Sequence, residues 1–423
     1  MRRPKILTTL RDYSWSLFAG DAAAGITVAM VAIPLSIAIA IASGATPSQG
    51  LLTAVVGGFL ISALGGSRVQ IGGPTGAFIV VVYQIIVDHG YDGLLLATFM
   101  AGLILLVAGA FRAGRLIAFV PEAVVNGFTV GIALIIATSQ LKDFAGLDMA
   151  SAPADFLGKV EALWAARSTV LWPAVAVAAI TMALLIGLRR LAPRVPGAIV
   201  AVAAGSALAA LFAGVDTIGG RYGAVSLDFA IPTLPPVSFA RIAELLPSAI
   251  IIAFLAGIES LLSAMVADRM FGGAHRPNAE LLAQGAANVG SAMLGGLPAT
   301  GAIARTATNV RAGGRTPVAG IVHALTVLVL IMAAGGLVSR LAMPALAGLL
   351  MMTAWTMSEP HKWPIYLRAP MADRMLFVLT LVLTVLVDLT VAIGVGVAVG
   401  LALRLYAKSS AGDMDSDWTT PER

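Results

Sequence analysis

The sequence predicts an all-α polytopic membrane protein with about fourteen transmembrane segments, arranged as two inverted repeats of seven. Three observations predict this class. Hydrophobic residues make up 59% and charged residues only 12% of the 423 residues, whereas a soluble globular protein carries about a quarter charged residues. Apolar runs separated by short polar joints continue along nearly the whole chain. Two of these runs begin at similar interruptions that contain glycine and proline.

The composition also excludes several classes of protein. The chain has no cysteine, so disulfides, thiolate nucleophiles and cysteine metal sites are ruled out. The four histidines show no HExxH spacing and no GxxxxGK[ST] motif is present, so the sequence predicts no metal or other cofactor and no enzyme activity. The net charge of +5 does not indicate nucleic-acid binding, because the basic residues lie in short joints between apolar runs.

The N-terminal residues 1–19 are basic and are predicted to form a cytoplasmic segment. The first membrane helix, near 22–42, is long and leads into further apolar runs, so we do not interpret it as a signal peptide. Pro34 should kink or thin this helix. The other apolar segments lie near 51–64, 75–87, 93–111, 119–140, 168–187, 197–214, 245–265, 280–294, 301–310, 318–335, 344–357, 374–388 and 390–407. Segment 301–310 covers only about half of a ~30 Å hydrocarbon core.

Lysine and arginine gather in alternate joints, which predicts an even number of spans with both termini in the cytoplasm of a cell inner (plasma) membrane. Arg340 is the exception to this pattern. The glycine- and proline-rich joint 215–244 is predicted to be extracellular and divides a first repeat, 20–214, from a second, 245–407. An odd number of spans in each half makes the repeats inverted. The polar residues 408–423 are predicted to be a disordered cytoplasmic tail.

Residues 295–311, GGLPATGAIARTATNVR, combine a helix interruption with an arginine. Taken alone, this segment indicates either a broken membrane helix or a surface loop followed by an amphipathic helix with an exposed arginine. A helix that begins inside a membrane directs unpaired N–H groups and a partial positive charge at its first turn, where an anion is favoured. Thr300 would be the N-cap, and Arg305 would lie about one turn into the helix.

A second copy of this pattern favours the broken membrane helix. Residues 65–81, GGSRVQIGGPTGAFIVV, contain TGAF at 75–78, which matches TGAI at 300–303 at an offset of 225 residues. Paired interruptions of this kind in the two halves of a transporter indicate its binding site.

Arg305 should have a partner or a function, because a cationic side chain at the centre of a membrane helix costs a few kcal/mol. The alternative is a structural ion pair within the helix bundle. Phe78 lies on the first turn of the upstream half-helix. Its ring either lines the site or, as for most aromatic residues in such a helix, packs in the core or faces lipid.

Glu259 is the second ionisable residue predicted to lie deep in the membrane, and the same offset of 225 pairs it with Pro34. Its carboxylate could bind a cation, pair with Arg305 or take up a proton. The alternative is that it only neutralises Arg305. Ser263 lies one turn further along the same helix face.

The remaining polar residues of the apolar runs have ordinary interpretations. Four residues of the fifth span are predicted to form hydrogen bonds between helices; these are Asn126, Thr129, Thr138 and Gln140. Three acidic residues fall near predicted helix ends as caps or interfacial charges; these are Asp21, Glu122 and Asp388.

With these residues in view, the chain resembles the SulP (sulfate permease) family of anion transporters, to which prestin and pendrin belong. The resemblance covers nearly the whole chain. Its motifs are GGSRVQIGGPTGAF, FVPEAVVNGFTVGIAL, SQLKDFAGL, GIESLLSAMVADRM and ELLAQGAANVGSAMLGGLPATGAIARTATNVRAGGRTPVAG.

The resemblance implies a core domain, about 20–111 plus 245–335, and a gate domain, about 119–214 plus 344–407. It also implies that the two half-helices meet at mid-membrane with the anion between their N-termini. Arg305 matches the family's anion-site arginine, Ala304 stands where those members have serine, and Glu259 matches the acidic coupling position of bacterial members. The expected anion-site residues are Gly73, Pro74, Thr75, Gly76, Ala77, Phe78, Thr300, Gly301, Ala302, Ala304 and Arg305, and the expected ion-coupling residues are Glu259 and Ser263.

The function expected from this pattern is secondary-active anion transport by alternating access. A proton-coupled symporter of a small dicarboxylate or oxyanion is the first expectation; sodium-coupled bicarbonate transport, proton-coupled sulfate transport and an uncoupled anion channel are the alternatives. The expected partners are a small inorganic or organic anion, a co-transported proton or sodium ion, the lipid bilayer and a second copy of the chain in a homodimer. SulP proteins usually continue into a STAS domain, so either this member lacks that domain or the sequence is truncated.

Overall fold

The computed structural model describes residues 3–114, 121–149, 153, 155–192, 195–225, 237–387 and 389–410. Within these ranges the chain is helical almost throughout, and one pair of two-residue strands interrupts the helices. The all-α prediction is confirmed, with that pair of strands as an addition that the sequence did not indicate. Asp388 lies outside the described residues.

Seventeen α-helices are present in the described residues. In chain order they are α1 (Ile6–Thr9), α2 (Trp15–Ala42), α3 (Pro47–Leu64), α4 (Ile79–Ala110), α5 (Glu122–Ala145), α6 (Phe156–Ala165), α7 (Trp172–Leu191), α8 (Gly197–Ala209), α9 (Ile218–Tyr222), α10 (Phe239–Phe271), α11 (Pro277–Met293), α12 (Ile303–Arg311), α13 (Pro317–Val338), α14 (Met343–Met357), α15 (Trp363–Arg368), α16 (Met371–Leu386) and α17 (Leu389–Ser410). The strands are β1 (Gly72–Gly73) and β2 (Thr300–Gly301).

Every predicted apolar segment overlaps one of these helices. Helix α4 contains two of the segments, which meet at Gly90, where the backbone leaves helical geometry with φ 73° and ψ 176°. By length and composition, seven helices of the described part are suited to cross a membrane: Trp15–Ala42, Pro47–Leu64, Gly76–Ala110, Glu122–Ala145, Trp172–Leu191, Phe239–Phe271 and Pro317–Val338. The count of fourteen crossing segments stays a prediction.

Local sequence explains where several helices begin and end. Helix α3 begins with a capping box, in which the side chain of Gln49 accepts from the N–H of Thr46 at 2.7 Å. Proline occupies the first turn of α3, α7, α11, α13 and α14, where its missing N–H has no helical partner to lose. Gly146 and Gly272 end α5 and α10 in the left-handed region that favours glycine.

Pro34 does not end helix α2, which stays helical on both sides of it. The helix continues to Ala42, and Ser36, two residues after the proline, is fully buried. A proline inside a helix removes one backbone hydrogen bond, which neighbouring helices can compensate in a membrane protein. The kink predicted at Pro34 stays a prediction, and the two predicted interruptions contain the strands β1 and β2.

The helices pack in two groups along the chain. Helices α2, α3, α4, α10, α11, α12 and α13 pack against one another, and helices α5, α7, α8, α14, α16 and α17 form a second set of neighbours. Small residues allow close approach within the first group. A methyl group on Gly102 of α4 would lie 2.8 Å from the carbonyl oxygen of Gly285 of α11, and the reverse distance is also 2.8 Å.

Two predictions about polar residues need correction. Thr129 and Thr138 do not bond between helices; their hydroxyls donate to Val125 and Leu134 of their own helix, at 2.7 and 2.9 Å. A threonine in a helix satisfies its hydroxyl most cheaply on the carbonyl one turn earlier. Asp21 is not at a helix end but inside α2, where it is fully buried.

Asp21 instead holds the start of another helix. Its Oδ1 accepts from the backbone N–H groups of Arg315 and Thr316, at 2.7 and 3.1 Å, just before α13. The hydroxyls of Tyr13 and Thr316 also donate to its carboxylate. A carboxylate in this position satisfies N–H groups that a helix start leaves unpaired.

Candidate functional site

The two interruptions that the sequence pairs are joined directly in the fold. Strands β1 and β2 run antiparallel, with Gly72 opposite Gly301 and Gly73 opposite Thr300. The N–H of Ala302 extends this contact by donating to the carbonyl of Ile71 at 2.8 Å. Each strand leads into a helix start, so the beginnings of the two predicted half-helices lie side by side.

Glycine is required at the centre of this pairing. Gly73 has a φ of 145°, and a methyl group there would collide with Nη1 of Arg305. A methyl group on Gly301 would collide with the side-chain amide of Gln70. The strands therefore approach the neighbouring side chains more closely than any other residue type would allow.

Neither helix start has a side-chain cap. The upstream one begins as a 3-10 turn, Gly76–Phe78, which leads into α4, and the downstream one is α12 with Ala302 at its N-cap. The N-cap of α12 is therefore Ala302, and the prediction of Thr300 as the N-cap is wrong. The hydroxyl of Thr300 instead donates to the carbonyl of Ala256 at 2.9 Å. Uncapped helix starts leave N–H groups for other partners, such as an anion.

Arg305, on the first turn of α12, is almost completely buried, with 1% of its surface exposed. Its Nη2 donates to Ser36 Oγ at 3.1 Å and to the carbonyl of Pro74 at 3.0 Å, while its Nε and Nη1 have no hydrogen-bond partner in the part of the chain that the structure describes. No carboxylate of the described residues lies within 4.0 Å of its guanidinium. The alternative of a structural ion pair thus has no support, and a full positive charge lies next to the peptide that precedes Thr75.

Glu259 of α10 contacts the first interruption and not Arg305. Its Oε2 accepts from the hydroxyl of Thr75 at 2.6 Å. Ser263, one turn further along α10, is fully buried and its hydroxyl lies 3.1 Å from that of Thr306 on α12. Helix α10 therefore contacts both interruptions, through Glu259 at the first and Ser263 at the second.

The remaining predicted site residues differ in exposure. Pro74, Gly76, Ala77, Phe78, Gly301 and Ala302 are buried, and Ala304 is exposed. Phe78 belongs to the main hydrophobic core. A methyl group on Gly76 would lie 3.6 Å from Ile136 of α5 and from Met357 of α14, so these two helices cover the upstream helix start. Ile303 and Ala304, on the first turn of α12, are both exposed.

Sequence reasoning missed a buried carboxylate that bonds the segment preceding β1. Glu280 of α11 is fully buried and accepts four hydrogen bonds. Its Oε2 accepts from the N–H groups of Gly66 and Ser67, and its Oε1 accepts from Ser260 and Gln284, all at 2.8 to 3.1 Å. Four donors on one carboxylate compensate for its burial.

The sequence did contain a signal for this network. Glu280, Gln284 and Asn288 recur every four residues, which places them on one face of α11. Asn288 bonds to the N–H and the carbonyl of Ala299, at 3.0 and 2.8 Å, directly before β2. This polar face therefore fixes the position of the second interruption.

Glu280→Gln is expected to destabilise the protein by about 1–3 kcal/mol, because the new amide group faces donors that need an acceptor. The thermal midpoint of the purified protein in detergent should fall. Glu161→Gln, at an exposed position, is the matched control and should leave the midpoint unchanged. An unchanged midpoint in Glu280→Gln would contradict the structural role.

Metal ligands do not gather in the described residues, where no group of three or more His, Cys, Asp and Glu side chains could hold a metal ion. His323 of α13 is fully buried, and neither ring nitrogen has a hydrogen-bond partner among the residues described above. It was not among the predicted site residues, because a single histidine in an apolar run carries no recognisable spacing.

Comparison with known proteins assigns this chain to a family. Residues 18–380 match the model of the sulfate permease family. The putative sulfate transporter YvdB of Bacillus subtilis is 40% identical over 372 residues, which cover 88% of this chain and 70% of that protein. The bicarbonate transporter BicA of Picosynechococcus is 31% identical over 345 residues, which cover 78% of this chain and 60% of that protein.

Solved structures agree with this family. The transmembrane domain of a cyanobacterial bicarbonate transporter BicA has a TM-score of 0.78 at 27% identity and covers 92% of this chain and 98% of that domain. Murine solute carrier 26 family member A9, an anion transporter in the inward-facing state, has a TM-score of 0.85 at 17% identity and covers 95% of this chain and 71% of that one. The second match shows a shared fold alone. The named relatives are transporters and not enzymes.

Proposed function

Since this chain belongs to the sulfate permease family and is therefore a multi-pass membrane anion transporter, we propose that it is a secondary-active carrier of a small oxyanion or dicarboxylate. The anion binds between the starts of the two half-helices at β1 and β2, and its movement is coupled to a cation, first of all a proton, through Glu259.

The observation that carries this proposal is the uncompensated charge of Arg305. A buried guanidinium without a carboxylate partner is costly, and an anion at the adjacent helix starts lowers that cost. Because the nitrogens of Arg305 are buried, the side chain acts through its charge across the Pro74 peptide more than by direct contact. The two uncapped helix starts supply the N–H groups that contact the anion.

The bond between Thr75 and Glu259 supports coupling at the same place. It links the carboxylate that would take up the cation to the residue directly before the first helix start. Protonation of Glu259, or a sodium ion at its oxygens, removes a negative charge beside the anion site. Anion and cation would then bind more tightly together than separately, which is the requirement for symport.

The two groups of packed helices support alternating access. In this proposal the group that holds β1, β2, α10 and α12 is the core domain, and the group with α5 and α14 is the gate domain. The contact of Gly76 with Ile136 and Met357 would close one side of the site, while the exposed face of α12 opens the other. Homodimer formation and cytoplasmic termini stay predictions.

The relatives affect the choice of substrate. Their names refer to sulfate and bicarbonate, which supports proposing these two oxyanions before a C4-dicarboxylate such as succinate or fumarate. The dicarboxylate remains a candidate, since a single cation and two helix starts attract any small anion.

Radiotracer uptake into proteoliposomes tests the proposal. Sulfate, bicarbonate and C4-dicarboxylates are offered in turn, with a proton gradient, a sodium gradient or neither. We expect saturable uptake of at least one anion that one gradient drives above equilibrium. Conductance that exceeds carrier turnover, without gradient-driven accumulation, would instead identify a channel.

A further inference from the structure

A cavity of about 630 Å³ lies beside the proposed transport site without including its predicted residues. It begins at Ile79, one turn beyond Thr75 along the upstream helix, and continues past Tyr83 to the end of α5. We call this cavity the vestibule. Its lining belongs to both helix groups, with α2 and α4 of the first and α5, α7 and α14 of the second.

The charged residues of the vestibule are unequally paired. Arg221 bonds two carboxylates, those of Asp143 at 2.8 Å and Asp216 at 2.7 Å. The vestibule contains one further acidic residue, Asp148, and two further basic residues, Lys142 and Lys159. These three acidic and three basic residues sum to zero net charge, but the arginine pairs with two of the three carboxylates, so that two lysines and one carboxylate remain outside this cluster.

Lys159 of α6 is the buried one of these two lysines, with 6% of its surface exposed. Its Nζ donates to Ser139 Oγ at 3.1 Å and lies 5.3 Å from the centre of the Tyr83 ring. No carboxylate of the described residues lies within 4.0 Å of this Nζ.

The acidic residue nearest to Lys159 in sequence does not form an ion pair with it. The carboxylate of Asp155 caps α6 by accepting from the N–H of Gly158 at 2.7 Å. Burial lowers the pKa of Lys159, and the charge of Asp155 offsets this only in part. An ammonium group has three donors, and among the described residues Ser139 accepts one of them. A buried cation that has a further donor and lines a cavity favours an anion as its next partner.

We propose that Lys159 forms a second anion-binding station in the vestibule, which takes the same class of small oxyanion or carboxylate as the transport site. This inference rests on the proposed anion transport and adds a step to it. The station raises the local anion concentration at one face of the carrier. Lys142, whose Nζ bonds the carbonyl of Met149 at 2.9 Å, adds to the attraction without binding the ion directly.

Direct binding can be measured without transport, because the chain has only five lysines. In protein labelled with 13Cε-lysine, the Lys159 signal is assigned by its loss in Lys159→Arg. Titration with sulfate at constant ionic strength should shift this signal saturably, also in Arg305→Met, where the transport site is weakened. The signal of Lys362, which is paired with Glu359 at 2.8 Å, is the internal control. A Lys159 signal that does not respond to sulfate, bicarbonate or succinate overturns the proposal.

Transport from each face gives the second measurement. Lys159→Gln should raise KM from the vestibule face roughly threefold to tenfold, as expected for the loss of one charge-assisted hydrogen bond, and leave KM from the opposite face unchanged. Lys159→Arg should retain most of the wild-type behaviour, and Lys362→Gln should retain all of it.

The alternative is that Lys159 only fastens α6 to α5. In that case Lys159→Gln would lower the thermal midpoint and change KM equally from both faces, and this outcome would overturn the proposal. Failure of the proposed transport function can be distinguished from failure of the Lys159 proposal. In the first case the wild type would show no uptake, while the Lys159 signal would still shift with added anion.

Discussion

Glu259→Gln is expected to abolish gradient-driven accumulation of the anion while exchange of anion for anion continues. The variant keeps an oxygen that can accept from Thr75, but it can neither take up a proton nor carry a negative charge. With one proton per anion, a pH difference of one unit supports about tenfold accumulation, since one pH unit corresponds to about 1.4 kcal/mol. In the variant the internal anion concentration should only reach that of the outside.

Proteoliposomes loaded with unlabelled anion measure both properties in one preparation. Exchange should stay within about threefold of the wild type, the effect of weakening one hydrogen bond. Glu161→Gln is the control, because it removes the same charge at an exposed position. If accumulation under either a proton or a sodium gradient were unaltered, Glu259 would not be the coupling residue.

Arg305→Met should raise the KM for the anion about 10- to 100-fold without loss of folding. A unit charge about 6–12 Å from an anion, as expected across the Pro74 peptide, contributes on the order of 1.4–2.8 kcal/mol at an effective dielectric constant near 20. Binding should be weakened and not erased, because the two helix starts remain. Methionine fills a similar volume and removes an unpaired buried charge, so the thermal midpoint should stay the same or rise.

Two further variants separate charge from packing. Arg305→Lys keeps the charge but cannot keep the geometry of both bonds to Ser36 and Pro74, so its KM should lie between those of the wild type and Arg305→Met. Arg311→Gln removes an exposed arginine at the end of the same helix and is the matched control. An unchanged KM in Arg305→Met would remove Arg305 from the anion site.

Helix positions and the paired interruptions followed from the sequence because both are local properties. Apolar length predicted the helices, and the repeated TGA at 75–77 and 300–302 marked two positions where glycine and proline break a span. The sequence could not show that these interruptions pair through β1 and β2. Backbone pairing between residues 227 to 231 positions apart, from Gly73 with Thr300 to Ile71 with Ala302, leaves no periodic pattern to detect.

Side-chain partners were the least predictable feature. The sequence suggested that Glu259 could neutralise Arg305, yet the carboxylate bonds Thr75 and the guanidinium bonds Ser36 and Pro74. The choice depends on distances of a few Å between helices, which composition and spacing do not encode. Glu280 is the opposite case, since its helical spacing with Gln284 was present in the sequence and pointed to a polar face.

By itself, the sequence determined that this chain enters a membrane, which segments are helical and where two helices break, because hydropathy and backbone preference act along the chain. Tertiary structure alone decided that the two breaks pair through β1 and β2, that Arg305 is buried beside them with no carboxylate of the described residues within 4.0 Å and that Lys159 lines a separate vestibule. These facts depend on which donors and acceptors meet after packing, when each buried polar group must find a partner across space.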